Sequence, residues 1–268
     1  MTETTFETIK QSIDNRGVAT VTLARPEKHN AMNAVMIEEL YQCLSNLADK
    51  PTVRVIVLAA EGKSFCAGAD LGWMKDQAKL DRPGKIAGAT KLATMLQTLD
   101  ASPKVTIARV QGNAFGGGLG LISTCDLAIA VEGTKFGLTE TKLGLIPATI
   151  GPFVANRLGA GFGRQVFFSG RSFNTDFAVR SGLLAEATAL ETLDESIETA
   201  IRDALQTAPG AVSAAKLLLR NLVGEVDQAT IGTTIEALAD CWESEETRAG
   251  LDAFFQRTPM PWVVTEER

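Results

Sequence analysis

Residues 53–60, 105–110 and 126–131 are short, almost continuous apolar runs rich in β-branched side chains. A strand with one wet face alternates apolar and polar residues, whereas a strand buried on both faces does not. These runs therefore predict strands covered above and below. Helical spacing fills the gaps between them. Met36, Ile37, Leu40, Leu44 and Leu47 recur on one helical face within residues 33–48. Residues 92–99 look helical and stop before Pro103, and residues 119–124 read as a helix opening directly off Gly116-Gly117-Gly118. Ahead of this core, residues 6–13 and 18–23 alternate around Asn15-Arg16-Gly17, a hairpin signal. Residues 74–90 are polar and weakly patterned, as in a loop or a frayed helix.

After about Gly159 strand signals fade. Helices are predicted at 160–169, 175–181, 189–207, 210–223, 228–240 and 243–256. The chain reads as an α/β core over residues 1–200 followed by a helical region over 201–268. Thr207-Ala208-Pro209-Gly210 is the best candidate joint. Leu217, Leu218 and Leu222 form an apolar stripe that fits burial either within one subunit or between subunits.

Composition narrows the function. Hydrophobic residues make up 45% of the 268 positions and charged residues 22%, which excludes an intrinsically disordered chain. The net charge of −6 argues against a nucleic-acid partner, which requires a basic face. No apolar run reaches the roughly 20 residues of a membrane helix. Residues 1–10 are charged and lack an apolar stretch, so no signal peptide is expected and the cytoplasm is the natural compartment. Cys43, Cys66, Cys125 and Cys241 form no CxxC pair and suggest neither a zinc site nor a disulfide scaffold. His29 is the only histidine, so acid–base chemistry falls mainly to carboxylates and lysines, and no metal site is expected.

Two glycine-containing turns follow predicted buried strands: Cys66-Ala67-Gly68-Ala69-Asp70 and Gly116-Gly117-Gly118. The second opens a helix whose first N–H groups lack internal partners. Two such turns are either tight structural corners or the parts of an oxyanion hole. They match neither the GxGxxG dinucleotide fingerprint nor a P-loop.

Several ordered stretches resemble the enoyl-CoA hydratase/isomerase (crotonase) superfamily. They are residues 23–33 (LARPEKHNAMN), 64–71 (SFCAGADL), 110–118 (VQGNAFGGG), 125–130 (CDLAIA) and 136–147 (FGLTETKLGLIP). The resemblance implies a spiral of ββα turns, with C-terminal helices that build homotrimers, often stacked into hexamers. It implies an acyl-CoA thioester substrate and no separate cofactor, coenzyme A being part of that substrate. It maps the oxyanion donors onto the N–H groups of Ala69 and Gly117. Coenzyme A would lie along residues 25–30 and the turn Ala67, Asp70, Leu71 and Gly72. In that segment Lys28 is either a partner for the coenzyme A phosphates or a solvated loop lysine, and His29 lies near coenzyme A rather than acting as base.

Hydratases of this family usually carry two glutamates. One matches Glu140, which on residues alone could equally be an exposed helix-start carboxylate. The other falls at Gly120 here. A single carboxylate suits an isomerase, or a hydratase in which one group both takes the water proton and supplies one to carbon. Gly120 also removes bulk and negative charge. Together with the similarity of residues 117–121 and 139–152 to a branch that hydrates 3-methylglutaconyl-CoA and isohexenylglutaconyl-CoA, this leads to the expectation of a branched, carboxylated enoyl-CoA. The alternatives are a Δ3,Δ2-enoyl-CoA isomerase and a family member that only binds acyl-CoA.

Overall fold

The computed structural model describes residues 6–263. It opens on a hairpin, β1 (Ile9–Ile13) against β2 (Val18–Leu23), followed by α1 (Ala34–Asp49). The Asn33 side chain caps α1 by accepting from the Met36 N–H at 2.9 Å. One theme then repeats three times. The first pass is β3 (Val55–Ala60), β4 (Ser64–Cys66), α2 (Leu71–Lys79) and α3 (Arg82–Asp100). The second is β5 (Val105–Val110), β6 (Asn113–Phe115) and α4 (Gly117–Thr124). The third is β7 (Leu127–Val131), β8 (Phe136–Gly137), a 3-10 turn (Glu140–Leu143) and α5 (Gly151–Phe167). Next come β9 (Ser172–Phe173), α6 (Thr175–Arg180) and β10 (Glu186–Thr188). The chain closes with α7 (Leu193–Leu205), α8 (Pro209–Val223), α9 (Gln228–Glu243) and α10 (Glu245–Gln256).

Each pass sends its first strand to one sheet and its second strand to another. The larger sheet runs β1-β2-β3-β5-β7-β10 and the smaller β4-β6-β8-β9. This is the ββα spiral that the resemblance implies. The continuous apolar runs are explained by the larger sheet, whose two faces are both covered. Ile56 and Leu58 face the main core with Leu40, Leu44 and Met95. Their neighbours Val55 and Val57 join Ile107 and Ile129 against Leu193, Ile197 and Ile201 of α7.

Three local expectations are sharpened or corrected. Of the two alternatives for residues 74–90 the helical one holds, as two capped helices with a break at Leu80 and Asp81: Asp70 caps α2 and Asp81 caps α3, while Pro83 lies in the first turn of α3. Their pattern is weak because α2 buries no residue. The helix predicted at 160–169 begins earlier, at Gly151, with a break at Gly159 (φ 69°). Strands do occur after Gly159, but β9 and β10 are two and three residues long, too short to carry a period. Position 200 lies inside α7, which packs on the sheet, and the Thr207–Gly210 segment links α7 to α8.

The last three helices differ in how they are held. α9 buries Ile231, Ile235 and Ala239 and packs on α3, and α10 packs on the 3-10 turn that begins with Glu140. α8 buries no residue. Lys216 Nζ reaches Asp126 Oδ2 at 2.7 Å and the Lys104 carbonyl at 2.8 Å. Arg220 faces Asp100 at 3.6 Å. Leu217, Leu218 and Leu222 point outward. No helix of the described residues is long and apolar enough to cross a membrane.

Candidate functional site

The turn after β4 is stitched to the segment that precedes α1. The Ala67 N–H donates to the His29 carbonyl (3.0 Å), Met32 N–H to Gly68 (2.7 Å) and Asp70 N–H to Met32 (2.8 Å). Asn30 is fully buried and joins the same assembly, donating to the Glu61 and Ser64 carbonyls at 2.8 and 2.9 Å. Arg25 completes it, with one bond to the Ala31 carbonyl (2.7 Å) and one to Asp70 Oδ2 (3.0 Å). In this arrangement the Ala69 N–H, like that of Gly68, bonds to no acceptor among the described residues.

The second turn meets the first. Gly116 (φ 47°, ψ −117°) turns the chain from β6 into α4, a conformation that favours glycine. A Cβ at Gly116 would stand 3.7 Å from Gly68 Cα and 3.1 Å from Glu140 Oε1. A Cβ at Gly118 would strike the Cys66 carbonyl oxygen at 2.8 Å, so the helix can start this close to β4 only with glycine there. Gly117 occupies the first helical position, and its N–H also lacks an acceptor among the described residues.

Glu140 begins the 3-10 turn after β8. Its stem is half-buried, but its tip is enclosed, and Oε2 has no hydrogen-bond partner. Burial pushes this carboxyl up to about 7, against the pull of the Glu140 and Thr139 N–H groups. A carboxyl near neutrality can both take and return a proton at working pH. Cys66 is fully buried and its thiol is pushed up to about 12 by desolvation, which leaves it inert beside the turn.

All three positions open onto one cavity of about 340 Å³. Its walls are mainly apolar and include Met32, Leu92, Ile150, Leu238, Trp242 and Phe254. Of the sequence-derived residues, Ala67, Ala69, Leu71, Gly117 and Glu140 line it. Lys28 and His29 do not. Both are exposed on the outer side of the stitched segment, with His29 Nδ1 3.2 Å from the Ser64 hydroxyl. Asp70 and Gly72 also lie off the cavity: the Asp70 carboxylate accepts from the Gly72 and Trp73 N–H groups at 2.8 and 3.2 Å. Burial raises the Asp70 carboxyl, but those bonds and Arg25 outweigh it and hold the group below its ordinary value.

Gly120 corrects an expectation. It does not open space in the cavity, because Ile150 Cγ2 would lie 2.7 Å and Leu96 Cδ1 3.2 Å from a Cβ placed there. The room that a glutamate would occupy is filled by hydrocarbon. Sequence reasoning also misses Lys85, Thr149, Trp242 and Met260, which line the cavity from elements far apart in the chain. The helix predicted at 228–240 ends before Trp242, which α9 includes, and nothing in the sequence marks that residue as part of a site. Among the described residues no group of three His, Cys, Asp or Glu side chains is placed to hold a metal ion.

The comparisons agree with this geometry. A family model described as Enoyl-CoA hydratase/isomerase matches residues 14–264. The short-chain-enoyl-CoA hydratase of Clostridium acetobutylicum is 30% identical over 244 residues, covering 90% of this chain and 92% of that protein. The enoyl-CoA isomerase/hydratase fer4 of Mycosarcoma maydis is 32% identical over 258 residues, covering 92% of both. The crystal structure of an enoyl-CoA hydratase from Shewanella pealeana superposes with a TM-score of 0.79 at 38% identity, covering 96% of each chain. The chain belongs to the enoyl-CoA hydratase/isomerase family, and its fold is that of the crotonases.

Proposed function

We propose that the protein is an enoyl-CoA hydratase in which Glu140 is the acid–base group and the N–H groups of Ala69 and Gly117 hold the thioester oxygen. One observation carries this reading: Glu140, whose enclosed Oε2 has no partner, stands beside the meeting point of two turns in which the Ala69 and Gly117 N–H groups are unpaired. In the forward step a water oxygen bonds to C3. The C2=C3 pair moves to C1–C2, and negative charge collects on the thioester oxygen between the two donors. Glu140 takes the water proton and delivers a proton to C2. Each oxyanion donor is worth about 3–4 kcal/mol of transition-state stabilisation. The segment 25–30 with Lys28 and His29, and the turn 67–72, form the outer edge along which coenzyme A would lie.

A narrower reading, a glutaconyl-type acyl chain with its own carboxylate, no longer rests on space at Gly120. It is favoured by Lys85 and Lys142, two cations on the cavity wall with no ion pair among the described residues. We further propose that α8 is a subunit interface of a trimer or hexamer, because its leucines face out while its cations face in. The variant Leu222→Lys is expected to lower the mass in sedimentation, and an unchanged mass removes the interface.

The deciding experiment follows the enoyl-thioester absorbance with crotonyl-CoA and 3-methylglutaconyl-CoA side by side, for wild type and Glu140→Gln. Loss of the band with wild type and not the variant supports hydration. A preference for the second substrate supports the narrower reading. Conversion of a 3-enoyl-CoA alone would make the protein an isomerase, and binding without turnover a carrier.

A further inference from the structure

The absence of a second carboxylate leaves a chemical gap. A water attacking C3 needs one group to take its proton, which is Glu140 in the reading above, and another to fix its orientation. Gly120 supplies nothing, since Ile150 covers it. The residue before Ile150 is Thr149, which lines the cavity and is 9% exposed. Its hydroxyl makes no hydrogen bond within the described residues. It also differs from the enclosed unpaired atoms, which are Gln111 Oε1, Ser123 Oγ, Glu140 Oε2 and Arg220 Nε. The Thr149 oxygen is therefore not sealed, and the residue lines the cavity.

The position along α4 fits. Gly117, the oxyanion donor, and Gly120, the contact of Ile150, are three residues apart, about 4.5 Å along the helix. Thr149 thus belongs to the segment that packs on α4 three residues past Gly117. The other hydroxyl on the wall, Thr139, adjoins Glu140 in the chain.

We infer that the Thr149 hydroxyl binds the attacking water, taking the orienting role that a second carboxylate would otherwise fill. The hydroxyl accepts one water proton as a hydrogen bond and Glu140 takes the other, which leaves a lone pair for C3. No proton is lost to Thr149, so the balance of the hydration step is unchanged. The inference rests on the hydratase reading above.

The test separates the two by using a second reaction at the same site. Exchange of the C2 hydrogens of butyryl-CoA in D₂O needs Glu140 and the two N–H groups but no water at C3. Thr149→Val, isosteric without the hydroxyl, is expected to lower the hydration kcat about 100-fold while leaving KM and the exchange rate near wild type. Thr149→Ala should behave as Val, and Thr149→Ser should restore hydration. Equal loss of hydration and exchange in Val and Ala would overturn the inference by making Thr149 a packing residue, as would hydration retained in both. A wild type that exchanges but never hydrates overturns the hydratase reading, and the water site with it.

Discussion

Asp70 and Glu140 are two carboxylates beside two adjoining turns, and they are treated in opposite ways. Asp70 is saturated with donors: Arg25 and the N–H groups of Gly72 and Trp73. Its charge is welcome, and its carboxyl titrates below the ordinary value. Glu140 has an enclosed oxygen with no partner, and its carboxyl is raised to about 7. The first holds a turn in which the Ala69 N–H remains unpaired. The second keeps an unsatisfied oxygen, which in the proposed reading leaves its proton free to move. Structure-holding and the proposed proton-moving role are thus separated by hydrogen-bond supply and not by residue type.

The sharpest way to break this comparison is to remove each acid function. Glu140→Gln is expected to reduce turnover about 10³-fold with little change in KM, measured by the absorbance assay. An activity within tenfold of wild type would contradict the assignment. The pH profile is the next test. Glu140 must be ionised to take the water proton, so kcat is expected to fall about tenfold per pH unit below about 7, with Asp70 contributing nothing in that range.

Stability should reverse the roles. Asp70→Ala removes a helix cap and strands the Arg25 charge, and denaturant melts at pH 7 are expected to show a loss of about 2–3 kcal/mol. A lowered folded-state carboxyl contributes stability above its ordinary 3.8, lost as pH falls through the folded value, so the gap between wild type and variant should narrow in acid. Glu140→Gln is expected to do the opposite on a smaller scale, gaining about 1–2 kcal/mol at pH 8. Its folded carboxyl is raised from 4.5 to about 7, so the folded state holds the proton more tightly. The wild type therefore loses stability as pH climbs through that window, and the two proteins should converge near pH 4.

Much of this was legible in the chain because it depends on local chemistry. The apolar runs at 53–60, 105–110 and 126–131 do contain the strands Val55–Ala60, Val105–Val110 and Leu127–Val131, buried on both faces, and Gly116–Gly118 does open a helix. The resemblance directed attention to Glu140, but its elevated proton affinity comes from enclosure, which no spacing reports. Gly120 misled for the same reason. A missing side chain reads as space in a sequence, and only packing shows Ile150 occupying it. Lys85, Thr149 and Trp242 share one cavity although they come from α3, the loop before α5, and α9. Lys85 falls in the weakly patterned stretch 74–90, and the helix predicted at 228–240 stops short of Trp242, so neither residue is marked by spacing.

The cavity wall has a consequence for how the molecule is made. Residues 32–150 carry the turns and the carboxylate, but Leu238, Trp242, Phe254 and Met260 close the chamber from the far end of the described chain. Enclosure of Glu140 therefore depends on α9 and α10: before these helices pack, the turns and the carboxylate could already be in place without the full burial that raises the carboxyl toward neutrality.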